Sequence, residues 1–313
     1  MQTIDEQIAH IEEVLRKTPH HKATNGFIGS MRAKIARLKD KQIDSETPLR
    51  QGSAGRTAFA VRKQGDATVT LVGPPSSGKS TLINKLTNAE SKVAPYEFTT
   101  VSVIPGMLQY KNAYIQILDI PGLIEGAKEG KGRGREVLSV ARGSDLLVIM
   151  TDVQRINLID KMVAELEGAG IRINKIAPEV KVEKRIGGGI IIHSNIKQDL
   201  NKETIKEVTL EFGIKNAEIT IKEKLTMDRL IDAFSRGRAY IPAIFVINKI
   251  DVEKSNYHTL MHDNSYIQVS AQKGIGLEKL RGEIWKKLNL VGVYLVHPDE
   301  EPSFKNPIIM HEG

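Results

Sequence analysis

The 313-residue sequence predicts an α/β protein: a mostly parallel sheet with helices on both faces, preceded by a helical hairpin and interrupted by an inserted α+β subdomain. Three observations predict this. Apolar runs at 69–72, 115–119, 146–151 and 243–248 alternate with helical stretches, the order of a chain that lays parallel strands through crossover helices. The first 45 residues instead repeat apolar side chains at helical spacing. Between about residues 172 and 225 the strand–helix alternation breaks into a lysine-rich stretch with Gly187, Gly188 and Gly189 before a strand-like IIIHS.

Taken in chain order, Ile4, Ile8, Ile11 and Leu15 share one helix face, Phe27, Met31, Ile35 and Leu38 another, and Pro19 separates them, giving a hairpin over 1–45. Its second helix carries Arg32, Lys34, Arg37, Lys39 and Lys41, a pattern equally suited to an RNA-facing stripe and to the wet side of an amphipathic helix. Residues 46–66, rich in Gly, Ser and basic side chains without periodicity, read as a linker. The α/β domain spans 67–290, interrupted by the insert at 174–225, and a single hairpin occupies 291–313. A lone hairpin is marginal in water, so residues after about 290 are expected to be poorly ordered or borrowed onto another surface.

Composition narrows the class. With 40% hydrophobic and 27% charged residues, the chain is neither disordered nor fibrous. No apolar run reaches a membrane-spanning length, and the acidic start is unlike a secretory signal, so a cytoplasmic location with no membrane partner is expected. Zero cysteines excludes disulfides and thiolate chemistry. His258 and His262 have i,i+4 spacing but lack the Glu of a zinc-binding helix, and read as surface histidines. A net charge of +7 favours polyanionic partners, RNA or ribosome foremost, with no sign of DNA specificity.

The chemistry sits at strand ends. Gly73-Pro74-Pro75-Ser76-Ser77-Gly78-Lys79-Ser80-Thr81 follows one strand and opens one helix, the context a phosphate-binding loop requires. Its glycines let backbone N–H groups face phosphates, Lys79 reaches the β- and γ-phosphates, and the Ser80 hydroxyl suits Mg²⁺. Asp119-Ile-Pro-Gly122 ends the next strand, offering a carboxylate to Mg²⁺ and the Gly122 N–H to the γ-phosphate. Asn248-Lys249-Ile-Asp251 ends a third strand, and Ser270-Ala271-Gln272 follows a fourth. Guanine presents two N–H donors to a carboxylate such as Asp251, and adenine does not, so the pattern selects GTP and GDP over ATP and sets aside an ATPase or kinase. Lys249 covers the base ring, and the Ala271 N–H meets the guanine oxygen.

These motifs, with YEFTTVSVIPGML, DIPGLIEGAKEGKGRGREVLSVARGSDLL and KATNGFIGSMRAKIARL, make the sequence resemble the developmentally regulated GTP-binding proteins, a branch of the Obg-like GTPases, over nearly its whole length. The resemblance implies a Ras-like core, an amino-terminal helix-turn-helix, an insert like a ribosomal-protein domain, and a carboxy-terminal TGS domain, of which about two strands are present. It also implies ribosome or RNA association in translation, and it leaves room for a regulatory protein partner. It places Thr99 and Thr100 in the first switch, with Thr100 assigned to Mg²⁺ and the γ-phosphate and Thr99 as the alternative. Lys79, Thr100 and Gly122 then form the catalytic group. Leu123 stands where Ras-like enzymes carry a water-orienting glutamine, so hydrolysis is expected to be slow alone and aided by a monovalent cation such as K⁺, a backbone group or a ribosomal partner. Ser76 replaces the asparagine that holds K⁺ in some relatives, which weakens the K⁺ option. The loop with Lys131, Arg133 and Arg135 reads as a solvated glycine-rich loop or as a source of positive charge. The alternative function is an RNA-binding scaffold that keeps guanine nucleotide as a structural ligand.

Overall fold

The computed structural model describes residues 3–19, 21, 24–46, 63–87, 104–119, 138, 140–252, 266–295, 304 and 307–312. The chain divides into two compact units: residues 54–175 with 239–313, and residues 1–53 with 176–238.

The larger unit is built on a six-stranded sheet. Its strands are β1 (Ala67–Val72), β2 (Ile104–Tyr110), β3 (Ala113–Asp119), β4 (Leu146–Asp152), β10 (Ala243–Asn248) and β11 (Tyr266–Gln268), in the spatial order β11-β10-β4-β1-β3-β2. All neighbours pair in parallel except β2, which returns antiparallel along β3 through a tight turn at Lys111 and Asn112, both at positive φ. Every residue of β1 and β4 is buried, as parallel strands covered on both faces require. The period of two divides β4 between two cores. Leu146, Val148 and Met150 face α3 (Lys79–Thr87) and the helix Leu277–Lys287, whereas Leu147 and Ile149 face α4 (Leu158–Gly168). Strand β1 lies between β3 and β4, where the order of connection reverses, so the loop leaving its carboxyl end opens into the crevice where such sheets bind ligands.

Two short strands, β5 (Ile171–Ile173) and β9 (Ala239–Ile241), pair in parallel where the chain leaves this unit and re-enters it. Of the final hairpin, β12 (Leu290–Val293) and β13 (Ile308–His311) pair antiparallel. Of the two expected outcomes, loose or borrowed onto another surface, the described residues show the second: Leu290 is buried in the main core, Ile309 packs against that core, and the His311 ring contacts the Leu288 carbonyl (2.9 Å). Anchoring on an existing core gives the hairpin the apolar contacts that two strands alone lack.

The smaller unit joins the amino-terminal hairpin to the insert. Helix α1 (Ile4–Lys17) begins with a capping box between Thr3 and Glu6, and Ile8 and Ile11 pack on Leu38 of α2 (Asn25–Glu46). The insert supplies β6 (Val180–Lys184), β7 (Ile190–Ser194), α5 (Lys202–Glu211), β8 (Ala217–Ile221) and α6 (Met227–Phe234), with sheet order β6-β8-β7. Ala33 and Ala36 of α2 enter the same core as Ile205, Val208, Ile219 and Leu230. The sequence reading separates hairpin (1–45) from insert (174–225); in the structure they share one core, which runs on to Arg238 because α6 buries Leu230, Ile231 and Phe234 in it. The basic stripe on α2 meets the insert at two points: Arg32 forms an exposed pair with Asp228 (3.2 Å), and the partly buried Arg37 donates to the Glu211 carbonyl (2.7 Å). Among the described residues, no helix is long and apolar enough to cross a membrane.

Candidate guanine-nucleotide site

The loop after β1 is pinned from outside. Lys79 Nζ, buried, donates to the carbonyls of Gly73 (3.0 Å) and Pro74 (3.1 Å); Arg155 donates to Pro75 (3.1 Å), Lys249 to Ser76 (2.6 Å) and Asn248 to Ser77 (2.9 Å). Two glycines are sterically required. A Cβ on Gly73 would lie 2.3 Å from the Met150 carbonyl oxygen, and one on Gly78, at φ +94°, would lie 2.3 Å from Asn248 Nδ2. The loop then opens α3, whose first N–H groups have no intrahelical partners and are suited to an anion.

On one side of the loop, Ser80 Oγ donates to Asp119 Oδ2 (2.9 Å), while Asp119 Oδ1 is buried with no hydrogen-bond partner among the described residues. Burial pushes the Asp119 carboxyl above its ordinary range, against the charge of Lys79 and the Ser80 hydrogen bond. A desolvated carboxylate with one orphaned oxygen beside a hydroxyl is a donor set suited to a hard divalent cation such as Mg²⁺.

On the other side lies a cavity of about 640 Å³ lined by Gly78 and Thr81, by Asn248, Lys249 and Asp251, and by Ser270, Ala271 and Gln272. Asn248 fixes the floor: its amide donates to the phosphate loop while its Oδ1 accepts from the Ala271 N–H (2.9 Å). The Ser270 hydrogen bond, aided by the Asp251 backbone and by Lys273 at 3.8 Å, outweighs burial and holds the Asp251 carboxyl below its usual range. It is therefore an ionised acceptor ready for two N–H donors.

The structure thus gathers Gly73, Pro74, Ser76, Ser77, Gly78, Lys79, Ser80, Thr81, Asp119, Asn248, Lys249, Asp251, Ser270, Ala271 and Gln272 around one crevice. Thr99, Thr100, Gly122, Leu123, Lys131, Arg133, Arg135, His258 and His262 lie outside the described residues. Sequence reasoning missed Asp152, Val153 and Gln154, which also line the cavity, and Arg155 beside them. Their signal was positional: Asp152 ends β4, the central strand between β1 and β10, at the same sheet edge as every motif.

Known proteins match this picture. The family model described as 50S ribosome-binding GTPase matches residues 68–179, and that described as the C-terminal region of MMR_HSR1 domain matches residues 187–290. Among solved structures, Era of Aquifex aeolicus bound to GDP.AlF4- aligns with 80% of this chain and 63% of its own, at 19% identity and TM-score 0.41. Fold and family model together define a P-loop GTPase. Three relatives each cover 99% of the chain: an uncharacterized GTP-binding protein of Methanocaldococcus jannaschii (41% identical, 80% of its length), Developmentally-regulated G-protein 3 of Arabidopsis thaliana (41%, 85%) and Ribosome-interacting GTPase 1 of Saccharomyces cerevisiae (39%, 85%). At that identity and coverage the chain belongs to the family of developmentally regulated GTP-binding proteins.

Proposed function

We propose that this GTPase is a slow, Mg²⁺-dependent nucleotide switch of the cytoplasm whose GTP-bound form engages ribosomes or RNA. The observation behind the nucleotide half is the convergence of a phosphate loop, an orphaned carboxylate oxygen and a guanine-shaped donor–acceptor set on one crevice. In this reading Lys79 leaves the Gly73 and Pro74 carbonyls for the β- and γ-phosphates, so those carbonyls serve as its resting partners. Ser80 and Asp119 hold Mg²⁺, which would neutralise charge developing on the phosphates. Asp251 accepts from the guanine edge, the Ala271 N–H, whose resting partner is Asn248 Oδ1, is shared with the guanine oxygen, and the Lys249 stem covers the ring. Thr100 and Gly122 are proposed to respond to the γ-phosphate.

Leu123 cannot orient the attacking water, so help from a ribosomal component, a regulatory protein or K⁺ is part of the proposal. Support for the ribosome comes from the +7 net charge, from the family model's description and from the name of the yeast relative. The test is steady-state GTP turnover at fixed Mg²⁺, in K⁺ or Na⁺, with and without ribosomes, with Lys79→Ala as control. A slow basal rate raised by ribosomes or K⁺, and abolished in the control, is expected. Negligible turnover under every condition despite tight GTP binding would overturn the switch and favour the scaffold.

A further inference from the structure

The phosphate loop has an unusual shortage of donors. Pro74 and Pro75 have no N–H, so after Gly73 the first N–H the loop can offer is that of Ser76. A trans peptide is planar, with its C=O and N–H pointing opposite ways, so whatever holds the Pro75 carbonyl also aims the Ser76 N–H. The side chain holding that carbonyl is Arg155, at 3.1 Å. Ser76 itself stands at φ +58°, a left-handed turn of the kind that cups successive N–H groups around an anion.

Arg155 is in turn fixed. Its Nε lies 3.2 Å from both oxygens of Asp152, and its Nη2 is 2.6 Å from Oδ2. The Asp152 side chain is only 7% exposed, and the same Oδ2 lies 3.6 Å from Lys249 Nζ, which donates to the next carbonyl, that of Ser76. Burial alone would raise the Asp152 carboxyl, but the hydrogen bonds and charge of Arg155, the charge of Lys249 and the Gln154 N–H hold it low, so the bridge is ionised. One carboxylate therefore joins two cations gripping adjacent carbonyls, and one of these cations belongs to the base-reading element.

We infer that Arg155 is a positioning residue of the phosphate loop: held by Asp152, it aims the Ser76 N–H at the nucleotide's phosphate chain and ties that aim to Lys249. The inference rests on the nucleotide occupying the crevice as proposed above. Arg155 is partly exposed but Asp152 is nearly buried, so loss of Arg155 leaves that carboxylate with Lys249 as its neighbouring cation and costs some stability as well. The positioning role of Arg155 is therefore read from nucleotide dissociation in excess of any change in nucleotide-free stability.

The experiment uses the full chain and fluorescent GDP. Arg155→Ala is expected to speed GDP dissociation about tenfold, the factor carried by ~1.4 kcal/mol, beyond whatever its fall in nucleotide-free melting temperature accounts for. Arg155→Lys, which keeps the charge but loses the fork, is expected to fall between. Asp152→Asn should act in the same direction by releasing both cations. Dissociation within twofold of the parent in Arg155→Ala, or a rise only as large as a fall in nucleotide-free stability accounts for, overturns the inference. Asp251→Asn separates this from failure of the site itself. It should lower GDP affinity by at least about 100-fold, through loss of hydrogen bonds to a charged acceptor, and admit xanthosine diphosphate. If it does neither, the nucleotide lies elsewhere and both readings fall; if it does both while Arg155→Ala has no effect, only the inference falls.

Discussion

Asp119 is costly to the nucleotide-free protein. Its carboxyl is buried, has one oxygen with no hydrogen-bond partner among the described residues and is pushed above its ordinary range, so ionising it at neutral pH opposes folding. Because the folded-state value lies above the unfolded 3.8, the unfolded chain releases this proton first as pH rises. Nucleotide-free stability should therefore decline as pH climbs from about 3.8 through the raised value, and Asp119→Asn should remove that component of the slope. The same substitution is expected to stabilise the nucleotide-free protein by about 1 kcal/mol in urea titrations while abolishing the Mg²⁺ dependence of GDP affinity. A loss of nucleotide-free stability instead would mean that the carboxylate is structural. At this scale the sequence was most legible where a residue's role follows from a local pattern, as with Lys79 or Asn248. It was least legible for Asp152 and Arg155, whose partners Pro75 and Lys249 lie far along the chain and whose spacing matches no phosphate- or base-binding pattern.

At the scale of elements, the close approach of α2 to α5 and α6 depends on small side chains. Ala33 is fully buried and Ala36 nearly so, in a core with Val208, Leu230 and Phe234. Ala33→Leu should overpack this contact by roughly 1–3 kcal/mol. Hydrogen exchange in the full chain should report it as faster opening of α5 and α6 amides, with β1 and β4 unaffected; equal effects in both units would refute the assignment of Ala33 to this core. The helices and buried strands were visible from periodicity, because a strand buried on both faces and an amphipathic helix each leave a local signature. The joining of hairpin to insert was not visible. Arg32 and Arg37 look solvated on a helical wheel, yet they reach Asp228 and the Glu211 carbonyl, partners some 170 to 200 residues away whose proximity no local pattern encodes. Which surface takes the final hairpin was hidden for a similar reason, since the core beneath Leu290 and Ile309 is assembled from residues far along the chain.

For the whole molecule, two compact units, each with its own buried core residues, imply two cooperative transitions. GDP at 100 times its dissociation constant should stabilise the unit that holds the crevice by ~2.7 kcal/mol. Calorimetry is expected to show one transition moving upward with GDP and a second that stays; a single transition moving as one would show that the units unfold together. The pairing of β5 with β9 has a further consequence, in time rather than space. Each unit is made of two stretches of chain, and each is completed only by residues synthesised after part of the other. The phosphate loop ends at Thr81, whereas the base-reading residues finish at Gln272, so at roughly 5–20 residues per second a growing chain carries the former for about 10 to 40 seconds before the latter exist. For most of that interval the loop also lacks Asn248 and Lys249, whose hydrogen bonds hold the Ser77 and Ser76 carbonyls. The crevice as a whole is thus among the last parts of this chain to be completed.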